Sequence, residues 1–298
     1  MKRWFAMLLC TAVFCALLPA LVYGDMGPKP SVVINFKGLE GMTYYVTLLS
    51  EWESTGPYSA IKDKEELKDY YQEYMGDYEV FLKFVEYRDA DGFSFLSYFQ
   101  ECTHTQRFQW TYYPPGTFKI LLYFPKTDEF LASERIYDRY AFDSYFTASV
   151  SGVELSAVQA DAEIMLEKSY QYGTEILSLI VRILLTIIIE LLVALLFGFR
   201  EKKQFLFLVY VNAATQIVLN GILNIINYWE GWLAFFVFYI LLELVVFVAE
   251  AVLYSIFLKK LGQKPVPGWK PVLYALTANV ASFGAGIAIA RWLPGIVL

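Results

Sequence analysis

Residues 176–199, ILSLIVRILLTIIIELLVALLFGF, form an apolar run that contains only two charged residues, Arg182 and Glu190, and this run indicates the class of the fold. Each such run is near the ~20 residues that an α-helix needs to cross the hydrocarbon core of a bilayer. A segment in lipid must satisfy its own backbone groups, which favours helices. Three more runs follow, at 205–226, 232–258 and 272–292. We therefore predict a four-helix transmembrane bundle over residues 174–298.

Basic residues predict the orientation of these spans. The second connection, 227–231, holds no Lys or Arg, and the tail adds only Arg291. The first and third connections hold seven: Arg200, Lys202, Lys203, Lys259, Lys260, Lys264 and Lys270. By the positive-inside rule those two connections are cytoplasmic, so the N-terminal domain and the C-terminus are extracytoplasmic. A signal peptide predicted at residues 1–24, basic and then apolar, gives the same orientation.

A polar side chain lies near the middle of each span. Counted from the cytoplasmic ends, all four are nine or ten residues into the helix, roughly 13–15 Å deep. They are Glu190, Asn212, Glu250 and Asn279. An ionisable group at this depth is a functional hypothesis by default, because it is costly to keep there. Helix packing, an ion or proton path, a ligand or metal pocket and intramembrane catalysis all stay open as interpretations, and we assign no metal and no catalytic residue.

A second, outer polar layer is predicted from Arg182, Glu243 and either Asn220 or Asn224. Arg182 and Glu243 lie at similar distances from their cytoplasmic ends, so an ion pair between them is within reach. Asn220 belongs to a row of amides at four-residue spacing, which places it on the bundle-facing side of its helix.

Residues 25–150 are predicted to form an extracytoplasmic antiparallel β-sandwich with a helical insertion. Alternation at 31–37 and turn residues such as Pro114-Pro115-Gly116 are typical of short strands in such a domain. Predicted strands are 31–37, 42–50, 80–87, 93–99, 107–113, 118–124, 130–135 and 140–150. The run 80–87 fits a helix equally well. The insertion contains Leu67, Tyr70, Tyr71, Tyr74 and Met75 at helical spacing.

Residues 151–173 are predicted to be a juxtamembrane connector, a short helix or stalk that enters the first span.

The charge of the exported part limits the classes of partner. Residues 25–172 carry 24 acidic and 13 basic residues, whereas the remainder of the chain has a net charge of +5. Nucleic acid is therefore not an expected partner, because its binders present basic surfaces. Phosphate-binding loops, dinucleotide fingerprints, zinc-protease motifs and Cys-x-x-Cys pairs are missing from the sequence, so no cofactor is expected.

Three single features of the domain could carry chemistry. Asp89-Ala90-Asp91-Gly92 matches the first half of a calcium loop, but no closing glutamate follows, and a tight turn fits better. His104 is the only histidine, and Cys102 is the one cysteine left after removal of a signal peptide. We expect a buried or unpaired thiol rather than a disulfide at Cys102.

The joint layout resembles an uncharacterised family of bacterial membrane proteins. The similarity is carried by the start at 27–31, by the loop Ser54-Thr55-Gly56-Pro57-Tyr58-Ser59 and by motifs around the polar layer. Those motifs are Glu190, Val211-Asn212-Ala213-Ala214-Thr215, Glu243, Glu250 and Ala278-Asn279-Val280-Ala281-Ser282. The resemblance implies a bacterial cell membrane and transfers no activity.

From these observations we expect a non-enzymatic binding, signalling or accessory protein of the cell membrane with an extracytoplasmic recognition domain. Its expected partners are membrane lipid, a membrane protein or a second copy of itself, and an extracytoplasmic ligand. The alternative is a small transporter or ion-conducting protein that uses the mid-membrane carboxylates.

Overall fold

A computed structural model describes residues 27–61, 77–263 and 265–292. The predicted signal peptide at 1–24 and most of the predicted helical insertion, including all five of its spaced side chains, lie outside these residues. The described strands are β1 Ser31–Lys37, β2 Tyr45–Ser50, β3 Ser94–Phe95, β4 Gln100–Glu101, β5 Arg107–Trp110, β6 Thr117–Phe124, β7 Glu129–Ala132, β8 Tyr137–Asp138, β9 Asp143–Glu154 and β10 Ala157–Lys168. The described helices are α1 Tyr78–Glu86, α2 Tyr172–Leu196, α3 Lys202–Leu261 and α4 Lys270–Trp292.

The N-terminal part is built from two sheets, as the strand pattern predicts. One sheet has the order β10-β9-β1-β5, and the other has the order β3-β2-β6-β7, with β4 beside β2 and β8 beside β6. The prediction that all strands are antiparallel is wrong at one place, because β1 and β9 pair in parallel. The whole second sheet lies between these two strands in the chain, and this long crossover makes a parallel return possible.

The core lies between the two sheets. Alternate residues of β1, such as Val32 and Ile34, meet Ile120 and Leu122 of β6 there, and all four are fully buried. The other face of β6 is also covered, so seven of its eight residues are buried. A third layer, α1, covers that face.

The run 80–87, predicted as a strand with a helical alternative, is helix α1. Its buried residues Phe81, Phe84 and Val85 have the spacing of one helical face, and they pack against Leu121 and Tyr123 of β6. The helical spacing of these three residues outweighs the β propensity of the aromatic side chains, because it lets one face bury them all.

Residues 151–173, predicted as a connector, belong mostly to the sheet. Strands β9 and β10 form a long antiparallel hairpin, in which Val150 pairs with Ile164. The apolar residues of β10 recur at every second position, at 158, 160, 162, 164 and 166, which is the period of a strand. Only residues 169–171 separate this sheet from α2, so the two parts of the molecule are joined by a short segment.

The C-terminal part is helical, and two of its helices, Tyr172–Leu196 and Lys202–Leu261, are long and apolar enough to cross a membrane. The second has 60 residues and is interrupted at Gly231, whose φ of 80° is not helical. Its two halves, 202–230 and 232–261, fold back on each other. The side chain of Gln204 donates to the carbonyl of Leu258 (3.4 Å), and Thr215 contacts Glu250.

Candidate functional site

The structure brings the four residues of the predicted polar layer into the interior of the helical part. Glu190 comes from α2, Asn212 and Glu250 come from the two halves of α3, and Asn279 comes from α4. Glu190, Asn212 and Glu250 are 0 % exposed and Asn279 is 6 % exposed. Each is therefore removed from whatever surrounds the helices.

Glu250 is held by donors on both carboxylate oxygens. The hydroxyl of Thr215 donates to Oε1 at 2.8 Å, and the amide of Asn279 donates to Oε2 at 2.7 Å. Both carboxylate oxygens of Glu250 are therefore hydrogen-bonded within the bundle.

Glu190 has a different environment from Glu250. Neither of its carboxylate oxygens has a hydrogen-bond partner among the described residues. The Asn212 amide lies next to it, yet Asn212 Nδ2 donates to the carbonyl of Leu208 (2.9 Å) in its own helix. Glu250 is close enough for the two carboxyls to repel when both are charged.

Two tyrosines and a threonine complete this cluster, and the sequence analysis missed all three. The rings of Tyr254 and Tyr274 lie 5.4 Å apart, and the Tyr274 hydroxyl donates to the backbone carbonyl of Glu190 (3.3 Å). Spacing could have identified Tyr254, since it lies one helical turn after Glu250. Thr215 lies one turn after Asn212, inside the motif 211–215, whereas Tyr274 carries no comparable signal. We call Glu190, Asn212, Thr215, Glu250, Tyr254, Tyr274 and Asn279 the carboxylate cluster.

The predicted outer layer comes together only in part, through Arg182 and Asn224. Arg182 donates to Asn224 Oδ1 (3.0 Å) and lies over the ring of Phe235, instead of forming an ion pair with Glu243. Asn220 is occupied by Gln216, to whose backbone carbonyl and side-chain oxygen it donates. Helical spacing places a residue on a face, but it does not choose between neighbouring amides and a carboxylate as partners for Arg182.

The sheets contact the helical part where α3 turns back. The backbone N–H of Phe142 donates to the carbonyl of Tyr228 (2.9 Å). The Phe142 ring occupies the position that a Cβ on Gly231 would need, at 2.5 Å. The ring of Tyr228 also packs against Tyr170 at 5.4 Å.

A cavity of about 980 Å³ lies beside this contact, between the sheets and the helices. From the sheet side it is lined by Asn35, Ala141, Asp143, Tyr145 and Thr147, and from the junction and helices by Ser169, Tyr170, Gln171, Thr174, Glu175, Ser178, Arg182, Asn224, Asn227, Tyr228, Trp232, Phe235 and Phe236. Sequence reasoning missed this cavity, because its walls come from segments more than 100 residues apart.

The charged groups that line the cavity differ in whether each has hydrogen-bond partners within the protein. Asp143 accepts from the hydroxyl of Ser31, and Glu175 accepts from the hydroxyl of Tyr170. Burial, together with this bond to Glu175, raises the pKa of Tyr170, so the phenol keeps its proton as donor. Arg182 keeps one buried donor, Nε, that has no partner among the described residues.

The other candidates of the domain are explained by structure. The ammonium of Lys119 contacts Asp89 (2.8 Å) and Asp91 (2.9 Å), so a protein cation lies where the calcium-loop interpretation would place a metal. Burial alone lowers the pKa of Lys119, but its hydrogen bonds to the two carboxylates raise it overall. Cys102 is a buried free thiol, and His104 is exposed. Among the described residues, no group of three or more His, Cys, Asp or Glu side chains could hold a metal ion.

No family model matches the chain, and no curated protein or solved structure is significantly similar to it. The functional interpretation therefore rests on the geometry of the cavity and of the carboxylate cluster.

Proposed function

We propose that the chain is a four-span membrane protein that binds an anionic ligand in the cavity between its exported domain and its helices. The break at Gly231 supports four spans, since each half of α3 has about the length of one crossing. Exposed apolar side chains support a lipid environment. Each of the four segments carries one near its middle, at 53–63 % exposure: Leu184, Val218, Val248 and Val280.

The basic connections supply the orientation in this proposal. Arg200, Lys202 and Lys203 follow the first span, and the bases of the third connection lie on the same side of the bundle. The turn at Gly231 then lies on the outer side together with the sheets that contact it. The cavity between them opens at the outer membrane interface, where Trp229 and Trp232 are exposed.

Arg182 is the observation that carries the assignment of an anionic ligand. The two acids of the cavity wall already accept hydrogen bonds from their own neighbours, and Glu175 also attracts Arg182 electrostatically, yet the Arg182 guanidinium still keeps an unused buried donor. Guanidinium groups prefer phosphate and carboxylate partners, which they bind with several N–H groups at once. Phe235 and Phe236 line the same cavity and provide an apolar surface beside this cation. Phosphate groups with an attached apolar part fit this combination, and so do free phosphate-like anions.

Binding by the full-length protein tests this function. Native mass spectrometry in detergent would measure retention of phosphatidylglycerol against phosphatidylcholine, and thermal melting would measure stabilisation by inorganic phosphate. We expect at least one of these anions to bind, and we expect Arg182→Gln to weaken that binding at least ten-fold. The matched control is Arg200→Gln, which removes an exposed guanidinium outside the cavity and should leave binding unchanged.

The two probes also distinguish the source of the anion. Retention of phosphatidylglycerol that depends on Arg182 identifies a lipid headgroup, and stabilisation by phosphate that depends on Arg182 identifies a soluble anion. Binding of neither probe, or equal binding by Arg182→Gln and the unmodified protein, contradicts the proposal.

A further inference from the structure

We infer that Glu190 is a proton-binding site that exchanges its proton with the outer cavity. The inference rests on the membrane placement proposed above and goes beyond ligand binding. Its first basis is an excess of unpaired hydrogen-bond acceptors around Glu190. Both oxygens of this fully buried side chain lack a donor, and so does Oδ1 of the neighbouring Asn212, whereas among the described residues the Tyr254 hydroxyl is the one unpaired donor of the carboxylate cluster.

A proton on Glu190 resolves this excess. An ionised carboxylate can only accept hydrogen bonds, and so can an amide oxygen, so neither oxygen can satisfy the other when Glu190 is charged. A protonated Glu190 gains an O–H donor, which the unpaired Asn212 oxygen can accept. Leaving both acceptors without a donor in the interior would cost the full desolvation of each group.

The difference between the two glutamates assigns the proton to Glu190 rather than to Glu250. Glu250 receives one donor on each oxygen, from Thr215 and Asn279, so both of its oxygens are already paired. The ionisable groups that face Glu190 are Glu243, Glu250 and Tyr254 from α3 and Tyr274 from α4, and none of these is a cation. Two close carboxyl groups without a cation cannot both ionise readily, so one of them keeps a proton.

A row of amides connects this site with the cavity. Gln216 and Asn220 follow Asn212 at four-residue spacing on the same helix face, and both are 3 % exposed. Asn220 donates to the Gln216 side chain, and Asn224, the next in the row, lines the cavity and accepts from Arg182. Polar groups therefore extend from the cavity to Glu190 along one helix.

The opposite side of the carboxylate cluster is mostly apolar. Leu208, Leu258, Phe199 and Ala194 belong to one buried cluster there, and each is at most 1 % exposed. The buried Gln204 also lies on that side and donates to the carbonyl of Leu258, but Leu208 stands between it and Asn212 in the four-residue row. The uninterrupted row of amides therefore leads from Glu190 toward the cavity. Proton exchange is therefore expected from the outer side in this conformation.

Infrared spectroscopy of the full-length protein in lipid nanodiscs tests the inference directly. A protonated carboxylic acid has a C=O stretching band that is separate from the bands of carboxylates and that shifts in D₂O. We expect this band at pH 7, the loss of one component of it in Glu190→Gln, and its full retention in Glu250→Gln. Absence of the band at pH 7, or its loss in Glu250→Gln instead, overturns the assignment.

Two further variants test the surroundings and keep the inference testable if Glu190→Gln does not fold. Asn212→Leu removes the acceptor, so the band should persist and shift; an unshifted band contradicts the pairing. Gln216→Leu interrupts the amide row, so deuterium exchange of the band should slow at least ten-fold; an unchanged rate contradicts the connection to the cavity.

Arg182→Gln should keep the band, and Glu190→Gln should keep anion binding, so this inference and the proposed function can fail separately.

Discussion

Lys119 shows at the scale of one residue how this domain accommodates a buried charge. The lysine lies on the central strand β6 with its side chain 5 % exposed, and the Asp89 side chain that it contacts is 1 % exposed. Breaking a buried ion pair by removing one partner is strongly destabilising, because the other charge stays buried without compensation. The aspartates of the turn 89–92 are therefore counter-ions for Lys119 of the sheet rather than ligands for a metal ion.

Removing this lysine should destabilise the protein severely. We expect Lys119→Ala to lower the free energy of unfolding by about 3–5 kcal/mol, since it leaves the Asp89 carboxylate unpaired in the interior. Thermal melting of the full-length protein, followed by tryptophan fluorescence, would measure the loss.

Two further variants serve as controls for Lys119→Ala. Lys83→Ala removes a lysine whose ion pair with Asp128 is solvent-exposed, and it should change the melting temperature little. Lys119→Met combined with Asp89→Asn should recover much of the loss, because no buried charge remains without a partner. Equal melting temperatures for Lys119→Ala and Lys83→Ala would contradict the role of the pair.

Gly231 determines how the longest helical element of the chain is folded. Without the break, 60 residues of α-helix would extend for roughly 90 Å. The positive φ of this glycine lets the two halves of α3 pack against each other, and the absence of a side chain admits the Phe142 ring. Gly231 therefore forms the turn of the helical hairpin, and its lack of a side chain also lets the N-terminal part contact that turn.

An alanine at this position should be poorly tolerated. Gly231→Ala would introduce a Cβ 2.5 Å from the Phe142 ring and would hold a non-glycine residue at a φ of 80°. We expect it to lower the free energy of unfolding by at least about 2 kcal/mol. Thermal melting in detergent would measure this.

The matched control for Gly231→Ala is Gly221→Ala. Gly221 lies inside the first half of α3 with no neighbouring atom within 4 Å of an added Cβ, so helix propensity alone should act and favour alanine. The account of Gly231 is wrong if both alanine variants melt at the same temperature as the unmodified protein.

Helices and strands with a clear hydrophobic period could be predicted from the sequence. Features that depend on which segments pack together could not. The alternation of β1 and the buried β6 were read correctly, and the polar residues of the helices were placed at one level. The period of two in β10 was present but was overlooked in favour of a connector. The parallel pairing of β1 with β9 had no local signal, because sequence periodicity does not show which strands become neighbours.

The candidate site shows the same limit. Depth along the helices brought Glu190, Asn212, Glu250 and Asn279 together correctly, since distance from the helix end is a local quantity. The choice of partner for Arg182 and the cavity at the junction depend on how separate segments pack. Those features could not be predicted from the sequence alone.

In the whole molecule, the N-terminal sheets and the helices are joined at two places. The short segment 169–171 connects β10 to α2, and Phe142 contacts the turn of α3. A ligand in the cavity contacts both the sheets and the helices, so its binding free energy depends on how these two parts are positioned relative to each other. The amide row then places the same cavity in polar connection with Glu190.

The central claim is that this assembly spans the membrane four times with the sheets and the cavity outside. Cysteine accessibility in intact cells tests it most directly, in a Cys102→Ala background, with a membrane-impermeant maleimide. The reporter positions are Leu155→Cys in the exposed β9–β10 turn, and Lys202→Cys and Lys260→Cys in the exposed first and third connections. The account predicts labelling at position 155 in intact cells, and at 202 and 260 only after permeabilisation. Labelling of 202 or 260 in intact cells, or protection of 155, would contradict it.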